Sequence, residues 1–496
     1  MRLRAALALT ITLTTIGAGM TPAGPGLAAT NDYDTGYSLG QRAYEYGRPL
    51  LDTERVFTTA TSIDISDTSG NGPVNQFNSL PKLVVPSPTQ RTVVTPNTDT
   101  LYSLAWLDLA EEPQIIHVPA VSDRFYGMQL LSPWTENFYN ITSAHGPPTT
   151  GTYELTRGGD FAVVPPGFAG TLPARVTRID SPYPRVWVVG RTLIRGESDT
   201  AAVNAIQRQY GIVPLSRYGQ PYVPPPVDPN ATATFAAIPG TRPGDDPLDY
   251  YTALNRELQL FAPPAADRPL LEQLETIGVG PGLDPGTDPN LSADTLRGMR
   301  DAVTHGPANI ATALNQLYGV NAPAHNGYLV VPTGTYGTNY RLRAIIDVIG
   351  LGALVPNVAV YPIALTDATL TTLTGANRYV LHMPASKLPP VDAFWSLTMY
   401  DAQGYFVPNP LDRFVVNDRS DLYRNRDGSI DIYVQHARPE RARQARNWLP
   451  APTGNFRLVW RLYNPRTRAV PGILSGNGWK PPKIQRCATD RTAFAH

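Results

Sequence analysis

The stretch TPNTDTLYSLAWLDL, residues 95–109, gathers Asn97, Thr98, Asp99, Thr100 and Tyr102 immediately before an apolar strand. Asn and Asp in such a position cap their own turn by accepting backbone N–H bonds. The same carboxylate, amide and phenol can also face a ligand or a joint between domains, so Asn97, Asp99 and Tyr102 are candidate binding residues. A second set lies near the C-terminus. Asn409, Arg413, Asp418 and Arg419 precede the turn NRDGSID, and Gln435, His436 and Asn447 follow it. In SIDIYVQH, Asp431, Tyr433 and Gln435 share one strand face, and Arg461 and Tyr463 in VWRLYNP have matching parity. A face bearing amide, phenol and guanidinium suits a sugar or a carboxylate, because arginine bonds carboxylates bidentately. A solvated face, or an ion-pair network that buttresses loops, is the alternative. Asp99, Asp418 and His436 are the candidate catalytic residues of a cofactor-free hydrolase or lyase. That chemistry requires a carboxylate shielded from water, with a shifted pKa, within reach of Arg413 or His436.

Other chemistries find little support. The seven histidines are scattered without an HExxH pair, so no metal is assigned, and a metal-dependent enzyme would need ligands from distant strands. In NRDGSID, Tyr423 stands where a calcium loop needs its first ligand, and the segment reads as a hairpin turn around Asp427-Gly428. GxSxG and GxxxxGK are absent, and no cofactor is expected. Trp395, Leu397 and Met399 share one parity in WSLTMYD and read as core, with stacking on a ligand beside Trp448 the lesser reading.

The elements that must position these groups are mostly strands. The 496 residues suffice for two to four domains. The chain holds 50 Pro and 41 Gly and only 17% charged residues, which favours many turns and short strands over long helices. With 41 basic and 41 acidic residues and no long basic run, nothing points to nucleic acid or an anionic membrane. Arg2 and Arg4 followed by the apolar run Ala5–Ile16 and by Ala28-Ala29 read as a signal peptide over residues 1–29. The run is too short for a membrane span. A secreted (extracellular or cell-envelope) protein is therefore expected. Cys487 is the only cysteine, so no intramolecular disulfide forms. Positive charge is nearly all arginine, a bias compatible with a GC-rich bacterial genome.

Residues 30–79 read as an N-terminal helical segment and 80–200 as a β domain, with runs such as LAWLDL, QIIHVP, FYGMQLL and RVWVVGRTLI between turn residues. Residues 201–325 hold a Pro-rich connector, then three helices. Asp246-Pro247 should start the first, 266–278 forms the second, and Ser292 should cap the third over 292–303. Residues 326–496 return to β after one helix around 340–352.

The stretches TPNTDTLYSLAWLDL, HVPAVSDRFYGMQLLSPWTENF and VWVVGRTLI resemble domain-of-unknown-function family 1254. YGTNYRLRAIIDVIGLGA, LPPVDAFWSLTMYD, NPLDRFVVNDRSDL and NWLPAPTGNFRLVWRLYNP resemble family 1214. The resemblance spans residues 40–200 and 325–485. It implies an immunoglobulin-like or sandwich β domain first, a helical domain in the middle and a jelly-roll-like domain last, the whole mainly β. It implies no chemistry. From the residues, the expected role is binding of a small polar or glycan ligand in a cleft of the β domains, through Asn97, Asp99, Tyr102, Asn409, Arg413, Gln435 and Arg461. A homodimer is compatible with open sheet edges.

Overall fold

The computed structural model describes residues 31–84, 94–143, 153–155 and 158–487. Residues 1–29, read above as a signal peptide, lie outside the described residues. The protein is 29% helical and 24% strand, arranged as two β bodies and a helical layer. No described helix is long and apolar enough to cross a membrane.

The helical layer draws on distant parts of the chain. Helix α1 (Asp32–Ala60) starts at Asn31, whose side chain accepts the Asp34 N–H. It packs on α2 (Asp249–Leu260), α3 (Ala293–Asn321) and α4 (Tyr340–Gly350). One core holds Tyr44, Tyr46 and Leu50 with Leu254, Met299, Leu314 and Ile345. The N-terminal helical segment and the middle helices thus share one core, which Trp134, Tyr183 and Leu329 complete from the β bodies. α1 and α3 cross at Gly36 and Gly298. A Cβ on Gly36 would stand 2.2 Å from Thr295 O, and one on Gly298 2.3 Å from Tyr33 O, so no larger residue fits either place. Ser292 caps α3 by accepting the Thr295 N–H at 3.1 Å. The helix does not stop at 303; it continues through Pro307 because Gly306, Ile310, Ala313, Leu314 and Tyr318 prolong the buried stripe. Asp246 is not the cap of α2. Its carboxylate accepts the Leu248 N–H and holds Arg300, and the helix begins at Asp249.

The first β body is two sheets. One runs Asn78–Ser79, β1 (Thr100–Asp108), β5 (Arg185–Leu193), β3 (Tyr126–Leu131), Asn137–Thr142 and Tyr153–Leu155. The other runs Gly211–Pro214, β2 (Gln114–Val118), β4 (Gly159–Val164) and Val176–Asp180. Ala105, Leu107, Ile116, Leu130, Phe161 and Val188 fill the space between them.

The second body is built alike. One sheet runs Tyr328–Leu329, Ile363–Ala364, β8 (Phe456–Pro465), β6 (Val391–Asp401) and Val415–Asn417. Its partner sheet runs Trp448–Pro450, β7 (Ile430–Gln435), Tyr379–Met383 and Ile484–Arg486. Trp395, Leu397 and Met399 lie in the core between them, with Leu458 and Trp460. Asp427-Gly428 does form a turn, with Gly428 at φ 81° and its N–H on Asn425 O at 2.9 Å. No strand leads directly into that turn: the last one before it, Val415–Asn417, pairs with β6. The Asn447 side chain binds both the N–H and the carbonyl of Tyr423, which fastens the incoming segment as a loop. β7 pairs instead with Tyr379–Met383 and, in parallel, with Trp448–Pro450.

Candidate functional site

The outer face of one sheet in each body is buried rather than wet. On β1 and β5 that face carries Tyr102, Trp106, Trp187 and Arg191; Trp106 and Trp187 stack at 5.3 Å and 6°. The Trp106–Trp187 end is covered by Phe57 and Ala60 of α1, and the Tyr102–Arg191 end approaches the face of the second body that carries Phe394, Ser396, Thr398 and Tyr400 of β6, paired in register with Tyr463, Arg461, Val459 and Arg457 of β8. Alternation explains the set, since the intervening residues of β6 and β8 fill the core on the other side. Phe125 joins the two bodies, meeting Phe394 and Tyr463 edge-on at 5.8 and 5.2 Å.

TPNTDT is the seam. Asn97 Oδ1 accepts the Asp99 N–H at 2.6 Å, closing an Asx turn. Its Nδ2 donates to Thr100 Oγ1 at 2.9 Å and across the joint to Tyr463 Oη at 2.8 Å. Asp99 is fully buried; its carboxylate accepts from Ser396 Oγ, Arg419 Nη2 and Asn417 Nδ2, all of the second body. Tyr400 donates to Pro96 O. The stretch therefore caps its own turn and fastens the two bodies. Thr95 adopts φ 50°, a left-handed conformation unfavourable for a β-branched residue. Three bonds hold it: its N–H to Gly404 O, its carbonyl under Arg461 Nη2 at 2.8 Å, and its hydroxyl to Ile349 O.

Between the bodies and the C-terminal end of α4 lies a cavity of about 140 Å³. Leu329, Val331, Ile346, Ile349, Ile363 and Val459 form its apolar wall. Arg191, Arg461, Tyr102, Tyr361, Tyr463 and Asn97 form a polar end. Gly352, at φ 75°, lets the chain leave α4 in the left-handed conformation common after helices, and its carbonyl receives Arg191 Nη2 at 2.8 Å. Arg191 Nη1 donates to Gln129 Oε1 at 2.8 Å, and Arg461 Nη1 to Thr398 Oγ1 at 3.0 Å. Both arginines are buried, and neither forms an ion pair among the described residues. Burial raises the Tyr361 and Tyr463 hydroxyl pKa values above the ordinary phenol, so both remain protonated donors.

Of the residues singled out in the sequence, Asn97, Tyr102, Arg461 and Tyr463 meet at this cavity, and Asp99 and Arg419 lie in the adjoining seam. The rest do not join them. Asn409 closes its own loop by accepting the Leu411 and Arg413 N–H groups, each at 3.2 Å. Arg413 donates to the carbonyls of Arg446 and Trp448. Gln435 bonds Ala437 O at 2.6 Å, and the exposed His436 sits 2.9 Å from Ala451 O. Matching parity did not put Arg461 beside Gln435. The two belong to opposite sheets of the sandwich and point away from each other, because parity selects a face within one sheet and says nothing of which sheet. Asp418 pairs with Arg419 at 2.7 Å. Burial pushes its carboxyl up to about 6, with Arg419 opposing and Asp99 adding to the shift. Neither Arg413 nor His436 reaches it in any described bond. No three His, Cys, Asp or Glu side chains converge as a metal site among the described residues. Arg191 and Tyr361 were not singled out; for Arg191 the available signal was one charge inside the apolar run VWVVGRTLI.

The family model described as "Protein of unknown function (DUF1254)" matches residues 74–214. A second, "Protein of unknown function (DUF1214)", matches residues 358–467. The chain therefore carries a DUF1254 match followed by a DUF1214 match, in two parts. The boundaries place the cavity between the two matched regions, with Tyr102 and Arg191 in the first and Tyr361, Arg461 and Tyr463 in the second. The crystal structure of the VPA0106 protein from Vibrio parahaemolyticus has a TM-score of 0.62 at 22% identity, covering 91% of this chain and 100% of its own, and shares the fold. An uncharacterised protein from Burkholderia cenocepacia aligns over 92% of this chain and 95% of its own at 13% identity and a TM-score of 0.39. No curated protein matches this DUF1254–DUF1214 chain.

Proposed function

We propose that this protein binds a small molecule in the cavity between its two β bodies. The observation that carries the reading is the convergence of two buried guanidinium groups and three tyrosines on one end of an otherwise apolar cavity. Interiors are close-packed, and buried cations are ordinarily paired. A cavity that keeps both space and unpaired cations is better suited to receiving a ligand than to holding the fold together. The charged start and short apolar run of the N-terminus support export of the protein, and the mass of the mature chain should then begin near residue 30.

The test is a thermal-shift screen of small organic acids, amides, alcohols and sugars. A ligand at about 100 times its dissociation constant adds roughly 2.7 kcal/mol of stability. Val331→Phe, which fills the cavity from its apolar wall, should abolish that shift. A ligand that stabilises Val331→Phe and the parent protein equally binds elsewhere, and the reading fails.

A further inference from the structure

We infer that the ligand is a small organic carboxylate with a compact apolar body, held by Arg191 and Arg461. This rests on the binding reading above and specifies its ligand.

Charge comes first. Arg191 and Arg461 are 6% and 5% exposed, and arginine stays protonated at any physiological pH. Their acceptors are neutral: Gln129 Oε1, Gly352 O, Thr398 Oγ1 and Thr95 O. Asp99 lies near enough to act electrostatically on Arg461, but its oxygens already accept from Ser396, Asn417 and Arg419. Two buried cations on one cavity repel each other where the dielectric is low, and an anion between them relieves that cost. The planar guanidinium fork matches a carboxylate in shape. Tyr463 accepts from Asn97 Nδ2, which leaves its own proton for an acceptor.

Size and wall come second. A cavity of about 140 Å³ resembles the ~150 Å³ apolar cavity known to take benzene, so the ligand has roughly the heavy-atom count of a substituted benzene ring. Leu329, Ile346, Ile349 and Ile363 offer no hydrogen bonds to the rest of it. A sugar would bury hydroxyls against that wall unpaired, which costs free energy. One anionic head and one apolar body match both ends.

Benzoate and its neutral analogue benzamide, titrated into the purified protein at pH 7, test this. Benzoate should bind at least about tenfold more tightly than benzamide, a tenfold ratio being one decade in dissociation constant. Arg461→Met and Arg191→Met should each erase that preference. Arg461→Lys, which keeps charge but loses the fork, should retain part of it, so the test survives if a methionine variant does not fold. Benzamide binding as tightly as benzoate overturns the carboxylate assignment and leaves cavity binding intact. Failure of both probes, together with a screen in which nothing stabilises the protein, overturns cavity binding and the carboxylate assignment with it.

Discussion

Two groups of buried charge lie side by side in the joint, and they are finished differently. Around Asp99 every charge has a bonded partner of opposite sign: Arg419 pairs with both Asp99 and Asp418, and Ser396 and Asn417 complete the Asp99 carboxylate. Around Arg191 and Arg461 there are two cations and only neutral acceptors. The first arrangement holds the two bodies together, since removing one partner strands the other. The second leaves two cations without a bonded anion beside open space, a cost that stability alone does not explain.

The contrast is sharpest for Asp99→Ala. It takes the shared acceptor from Ser396, Asn417 and Arg419 and leaves Arg419 with Asp418 alone, and denaturant unfolding should show a loss of about 3 kcal/mol. A loss below about 1 kcal/mol would show that the seam is not held by charge. Next is Tyr463→Phe, which removes the acceptor of the Asn97 bond across the joint and should cost about 1 kcal/mol in the same measurement. Arg461→Met should change stability by less than about 1 kcal/mol, because loss of a cation without a bonded anion offsets the bonds left unmade to Thr95 and Thr398. A loss as large as that of Asp99→Ala would erase the distinction between the two groups.

The smallest effect concerns pH. The Asp418 carboxyl is pushed from 3.8 to about 6 in the folded protein. Between those values the folded state binds more protons than the unfolded one, so this residue's contribution is present below about 4 and is lost as pH rises through about 6. Asp418→Asn should flatten that part of the stability profile. An unchanged slope would mean that Arg419 holds Asp418 ionised throughout.

Much of the architecture is legible in the residues themselves. Alternation separates Trp395, Leu397 and Met399 from Phe394, Ser396, Thr398 and Tyr400, and the two sets do face opposite ways. Ser292 announces the start of α3 because a side-chain cap acts within one turn. The end of that helix was not legible, because Pro307 signals a break and only packing against α1 carries the helix past it. The hairpin expected at Asp427-Gly428 fails for a similar reason. A turn signal is local, whereas the strand that should precede it is replaced by a loop tied to Asn447.

The candidate site divides along the same line. Short-range rules on pleat and capping suffice to show that Asn97 closes a turn and that Arg461 and Tyr463 share a face. Which surface that face meets depends on contacts between residues hundreds of positions apart, such as Asn97 with Tyr463 and Asp99 with Ser396. No periodicity records those contacts, because they arise only when two independently patterned sheets turn their outer faces together. Arg191 and Gln435 show both sides of this. Arg191, an isolated charge in an apolar strand, becomes a cavity residue because the second body covers it. Gln435, on an equally suggestive strand, is left bonding its own loop because its sheet points the other way.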